Sequence, residues 1–283
     1  MSYSQTSDHK SEITTVTAYA TISLVFSLGI TSCAIVEVAS TQTLPPPPPG
    51  QSWAFVWGDE FDDDAIDQSK WTVQGDYVRR KGLWSREDAY LDGEGHLVLR
   101  TRRTPNGVSS GAVSSTGKFE RRNGLYVIRC KFGDQPGHWP AFWLFTQSVQ
   151  TVGDDGLDGT EIDIMEKPWI GDAIHHNLHW DGYGEAHRWD GTEVPTDGIN
   201  DGFHTFAVHW TENEYIFYVD GRETWRSSSG GISRVPQAIW ITDEVDDLVG
   251  SIDSAQLPDY FTVDWVRVYD AEDGEQPSQD QVY

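Results

Sequence analysis

Cysteine is nearly missing from this chain: there are two in 283 residues, Cys33 and Cys130, too few for a disulfide scaffold. Positive charge is short as well, with 20 Lys and Arg against 45 Asp and Glu and a formal net charge of -25. That balance removes the basic footprint that nucleic-acid binding needs, so no nucleic-acid partner is expected. An acidic, solvated surface instead suits an exported protein. Long apolar runs are confined to one place, Ile13 to Ser32, which follows a polar segment whose Lys10 is offset by Asp8 and Glu12. It reads as an export signal, or at this length as an uncleaved membrane anchor.

The segment Ile30-Thr31-Ser32-Cys33 ends that run with a small residue before a cysteine, which resembles a bacterial lipobox. Cys33 would then be the lipidated first residue of the mature protein; an ordinary cleaved signal would discard it. Residues 34–50 follow as a spacer in which five consecutive prolines, Pro45 to Pro49, preclude helix or central strand and favour a stiff polyproline rod. A single β domain is expected over 51–272, and residues 273–283 read as a polar tail. Export to the medium or to a cell-surface lipoprotein state is the expected location, with the membrane touched only through the N-terminal anchor or lipid. The domain is expected to be a monomer.

What the chain does have is tryptophan, thirteen in all, and a compact acidic motif, Glu161-Ile162-Asp163-Ile164-Met165-Glu166. On a strand, Glu161 and Asp163 share one face while Ile162 and Ile164 turn to the other. Regular alternation would send Glu166 to the apolar face, where an unpaired carboxylate is costly, so a one-residue β-bulge near Ile164 or Met165 is expected. Three carboxylates would then line one face. Glycoside hydrolysis uses two, about 5 to 5.5 Å apart for retention of configuration, and a third close by can hold a proton and tune the pair. An acidic edge strand that only discourages aggregation is the plain alternative.

The surrounding motifs favour chemistry. Trp57-Gly58-Asp59-Glu60-Phe61, Ser115-Thr116-Gly117-Lys118-Phe119, Trp139-Pro140-Ala141-Phe142-Trp143-Leu144, the acidic motif, Phe203 to Trp210 and Val263 to Tyr269 occur in this order. The combination resembles glycoside hydrolase family 16, of the laminarinase and agarase type, over roughly Trp57 to Tyr269. The resemblance implies an all-β fold, a two-sheet concanavalin A-like jelly roll with a concave sugar cleft. It implies retaining endo-hydrolysis of a β-linked polysaccharide, with Glu161 as nucleophile, Glu166 as acid/base and Asp163 as the assisting acid. No cofactor is implied for the chemistry. A β-1,3-containing glucan is the expected substrate, with red-algal galactans as the alternative and a non-catalytic carbohydrate-binding protein as a further one. Transglycosylation would differ only in what reaches the intermediate.

Trp139 and Trp143, at even spacing, share a strand face, and stacking on sugar C–H faces is their expected task. By position in the family, His179 and Trp180 flank the reactive sugar, and Trp84 lies in a nearby loop. That loop reads Trp84-Ser85-Arg86-Glu87-Asp88 where many β-1,3-glucanases of the family have an Asn-Asn-Glu triplet, and Trp180-Asp181-Gly182-Tyr183-Gly184 also departs from the commoner pattern. Most of the basic residues, 13 of 20, fall within residues 51–134, Arg79, Arg80, Lys81, Arg86, Arg100, Arg102, Arg103, Arg121 and Arg122 among them. Pairing with the abundant carboxylates is expected, with recognition of an anionic polysaccharide as the competing task. His175 and His179 could share a face as zinc ligands. The family's structural calcium would match Glu60, Gly95 and Asp264. Cys130 shares a face with Tyr126, Ile128 and Phe132 and is expected in the core.

Overall fold

The computed structural model describes residues 44–168 and 171–273. The export segment, Cys33, the first part of the spacer and the tail from residue 274 lie outside the described residues. The described chain is strands joined by turns and four short 3-10 segments, in two sheets of eleven and eight strands. This is the expected all-β sandwich.

Alternation along each strand builds the core. In Gly124–Lys131 the side chains of Tyr126, Ile128 and Cys130 point between the sheets, while Leu125 and Val127 point outward. Phe142, Leu144, Ile162, Ile164, Met165 and Leu178 meet them from the smaller sheet. Cys130 is fully buried, and burial holds its thiol well above the usual range, so it acts as a small hydrophobe. The Asp220-Gly221 turn has φ of 48° and 72°, the left-handed pair that a tight hairpin between Tyr215–Val219 and Arg222–Ser227 requires.

The end of the spacer is not a free rod. Leu44 and Trp53 pack over Leu125, Val127 and Tyr269 on the outer face of the larger sheet, and the Trp53 indole donates to the Pro45 carbonyl at 2.7 Å. Prolines here have no amide hydrogens to leave unpaired, so this stretch can cover an apolar face without sheet pairing.

The smaller sheet carries the site. Its strands run in the order Arg188–Pro195, Ala173–Trp180, Glu161–Glu166, His138–Phe145, Gln237–Val245, Ala112–Ser114 and Thr72–Val73. Trp139, Ala141, Trp143 and Val249 form a separate apolar cluster on its outer face, with Phe145 and Trp240 packed against it.

Candidate functional site

The bulge falls where the sequence places it. Trp143 pairs with Asp163 and Phe142 with Met165, so one step on one strand spans two on the other and Ile164 is the extra residue. The pairing with Ala173–Trp180 is interrupted over the same stretch. Ile164 and Met165 are both fully buried in the core, which returns Glu166 to the outer face beside Glu161 and Asp163.

Each carboxylate has its own partner. The Tyr183 hydroxyl donates to Glu161, His179 Nε2 lies 3.3 Å from Asp163, and the Asn177 amide donates to Glu166 at 2.6 Å. His179 is held from behind by His187, with 3.0 Å between the ring nitrogens. Burial first, then the charge of Asp163, push Glu161 up to about 8, while His179 and the Tyr183 hydroxyl pull the other way. Asp163 is held well above the usual range by burial and by Glu166, and Glu166 is raised mainly by burial. Three carboxylates this close cannot all be ionised. With Asp163 as the proton holder, the second cause of the Glu161 shift disappears, which favours the anion at Glu161.

The cavity beside these groups has two parts. A pocket of about 40 Å³ is lined by Trp139, Ala141, Glu161, Asp163, Glu166 and Glu244 among others. It opens beside a larger one of about 570 Å³ with Trp143, Trp240, Trp84, Tyr77, Phe145 and Tyr183 in its walls. Trp143 stacks on Trp240 with centroids 5.3 Å apart, Trp240 on Trp84 at 6.2 Å, and Tyr77 meets Trp84 edge-on at 5.8 Å. The Trp84 indole donates to the Asp243 carbonyl at 3.1 Å, and Trp143 to Thr242 Oγ1 at 3.1 Å, so the aromatic planes are fixed. Trp139, Trp143 and Trp84 therefore line the cavity, and His179 stands beside Asp163.

Trp180 does not. Glu161 pairs with His179 across the sheet, and alternation sends the next residue, Trp180, into the core with Ile174 and Leu178. Its ring packs so closely on Gly230 that a Cβ there would lie 2.5 Å from it. The zinc reading of His175 and His179 fails too, because His175 faces Glu193 at 3.6 Å while His179 turns to Asp163 and His187. Among the described residues, the three-residue group able to hold a metal is Glu161, Asp163 and His179, with donor atoms within 4.8 Å.

The calcium set finds no support either. Both oxygens of Glu60 are taken by Arg267, at 2.7 and 2.6 Å, and Asp264 is ion-paired with Arg129. A cation there would have to break two arginine pairs, so the structure lends the calcium reading of Glu60, Gly95 and Asp264 no support.

Pairing does explain most of the basic cluster: Arg100 and Arg102 bind the buried Asp88, Arg121 binds Asp270, and Arg122 binds Glu212. Arg79 and Arg80 differ in position. Both bind the buried Glu244, Arg79 at 2.7 Å, and both line the cleft, Arg80 with its guanidinium 4.6 Å from the Trp139 ring centre. Glu244, Trp240, Asn177 and Tyr183 were not foreseen as parts of the site. Tyr183 lies in the run that departs from the family pattern, which is the signal that could have found it. Trp240 and Glu244 alternate with buried Ile239 and Ile241 and look like any sheet residues until the strand's neighbours are known.

An antiparallel sandwich with a carboxylate triad set in an aromatic cleft defines a glycoside hydrolase. The family model for glycosyl hydrolases family 16 matches residues 67–267, and the chain belongs to that family. It is 29% identical over 250 residues to a beta-glucanase of Rhodothermus marinus, covering 77% of this chain and 85% of that protein. It is 28% identical to a keratan-sulfate endo-1,4-beta-galactosidase of Sphingobacterium multivorum, covering 77% of this chain and 55% of that protein. Among solved structures, the catalytic domain of an endo-1,3-beta-glucanase (laminarinase) from Thermotoga petrophila superposes with a TM-score of 0.66 at 26% identity, over 78% of this chain and 99% of that one. The protein is accordingly a retaining glycoside hydrolase.

Proposed function

We propose that the chain is an endo-acting hydrolase of a β-1,3-containing glucan, with its catalytic domain over 51–272 and its N-terminal segment serving export or lipid anchoring. Glu161 attacks the anomeric carbon as the leaving oxygen takes a proton from Glu166, giving a covalent glycosyl-enzyme. Glu166 then draws a proton from water, which releases the sugar with its configuration retained. Asp163, protonated, donates toward its neighbours and keeps one negative charge out of the cluster. His179 orients Asp163, and Trp139, Trp143 and Trp84 hold the pyranose rings.

The observation that carries this reading is the bulge at Ile164, which puts Glu161, Asp163 and Glu166 on one face at the mouth of the aromatic cavity. A neutral polymer is favoured over a sulfated galactan because the two cleft arginines already share Glu244. The likeness to a beta-glucanase and to a laminarinase catalytic domain supports the same choice.

The test is release of reducing ends from laminarin, mixed-linkage glucan, agarose, porphyran and carrageenan by the purified protein. Cleavage of a β-1,3-containing glucan, abolished in Glu161→Gln and Glu166→Gln, is the expected result. Cleavage confined to a galactan would reject the substrate, and turnover by either variant would reject the roles.

A further inference from the structure

Trp189 is 62% exposed, on the edge strand Arg188–Pro195, and among the described residues it stacks on no other aromatic ring. Its place in the sheet is specific. Glu161 pairs with His179, and His179 pairs with Trp189, so the three lie in one row across adjacent strands. Directly opposed residues project from the same face of a sheet, which puts Trp189 on the face of the carboxylates. Val194 packs into the core from the opposite face of the same strand, consistent with that assignment. Strands lie about 4.8 Å apart, so Trp189 stands roughly 10 Å from Glu161, on the order of two pyranose rings.

It also stands on the other side of Glu161 from the Trp143–Trp240 wall, because the sheet order places Glu161–Glu166 between the two. A large bare indole on an edge strand invites association with other molecules, and edges usually carry charge or bulges instead. A flat apolar plane level with the cleft floor is suited to the C–H face of a sugar ring.

Resting on the glucanase reading, we infer that Trp189 is a sugar-stacking platform that holds the polysaccharide beyond the cleavage point, on the side away from the Trp143–Trp240 cavity. The chain is then gripped on both sides of Glu161. Internal bonds of a long polymer are favoured over chain ends, and short oligosaccharides that cannot span both grips are poor substrates.

The experiment compares wild type, Trp189→Ala, Trp189→Phe and Phe55→Ala on laminarin and mixed-linkage glucan. Phe55 is an equally exposed aromatic at 62%, and it packs on Tyr269, which belongs to the cluster on the larger sheet's outer face. Trp189→Ala should raise KM for the polymer about tenfold, the equivalent of about 1.4 kcal/mol, with the loss falling on KM rather than kcat. Trp189→Phe should recover part of it, and Phe55→Ala should match wild type. Retardation in gels containing each polymer gives a second readout independent of turnover: Trp189→Ala should migrate faster than wild type. Wild-type KM and wild-type retardation for Trp189→Ala would overturn the inference while leaving the hydrolase intact. Persisting cleavage by Glu161→Gln would instead reject the assigned chemistry and leave the Trp189 result standing. Absence of both cleavage and retardation of wild type would overturn the two together.

Discussion

Gly191 and Asn177 face each other across two strands so closely that a Cβ on Gly191 would lie 2.0 Å from the Asn177 amide oxygen. The bare glycine lets the amide lie over the strand and reach Glu166 at 2.6 Å. Gly191→Ala should therefore disturb Glu166 without touching it. The Asn177 hydrogen bond favours the Glu166 carboxylate against burial, which raises it. Losing that bond, in Gly191→Ala or Asn177→Ala, should move the basic limb of kcat/KM to higher pH and lower the maximum rate. A pH–rate profile checks it; an unmoved basic limb would separate Asn177 from the acid/base.

Burial and its neighbours raise Glu161 from 4.5 to about 8, so the native carboxylate cluster, with Asp163 as its main proton holder, keeps protons that the unfolded chain releases. That contribution to stability is fully present below the unfolded value and is lost as pH rises through the folded one. Glu161→Gln removes the ionising group. It should melt higher than wild type near pH 8, with the gap closing toward pH 4. Thermal melts across this range decide the matter, and an equal gap at both ends would show that charge is not the cause.

Burial alone would lower His138, but Asp243 at 2.9 Å and Asp259 at 3.2 Å outweigh it and hold the imidazolium up to about 10. The triad ties His138–Phe145 to Gln237–Val245 and Asp259–Asp273, next to Trp139 and Glu244. Because the folded value is raised above 6.5, its stabilisation is complete below that pH and fades as pH rises through about 10. His138→Gln leaves two buried carboxylates without their cation and should cost about 3–5 kcal/mol at pH 6. Urea unfolding should show the difference shrinking at pH 10; a constant difference would point to packing alone.

Arg80 lowers both Asp163 and Glu166 by its charge, while its own guanidinium is committed to Glu244. Arg80→Ala should shift the basic limb of activity to higher pH and leave the ratio of rates on sulfated and neutral polymers unchanged. A selective loss on sulfated galactans, seen in reducing-end assays, would assign Arg80 to anion recognition instead.

The sandwich and the triad were legible because strand alternation is a local rule. Glu166 at an odd offset from Asp163 demanded a bulge, and Ile164 supplies it. The same rule, applied to His179, already sends Trp180 inward; resemblance to the family had placed it at the sugar. Glu244 and Trp240 were illegible for a different reason. They become site residues only through pairing with His138–Phe145, nearly a hundred positions away in the chain, and no local pattern announces that register. The same holds for Glu60 and Asp264, whose pairing with Arg267 and Arg129 comes from across the sheet and not from their own stretches.

The packing of Leu44, Pro45 and Trp53 on the larger sheet sets a direction for the molecule. Leu44 and Trp53 cover one broad side of the sandwich, and the carboxylates open on the other. The working mouth is therefore turned away from the face that Leu44 and Trp53 cover, and a long polymer can lie along it without crossing that packing.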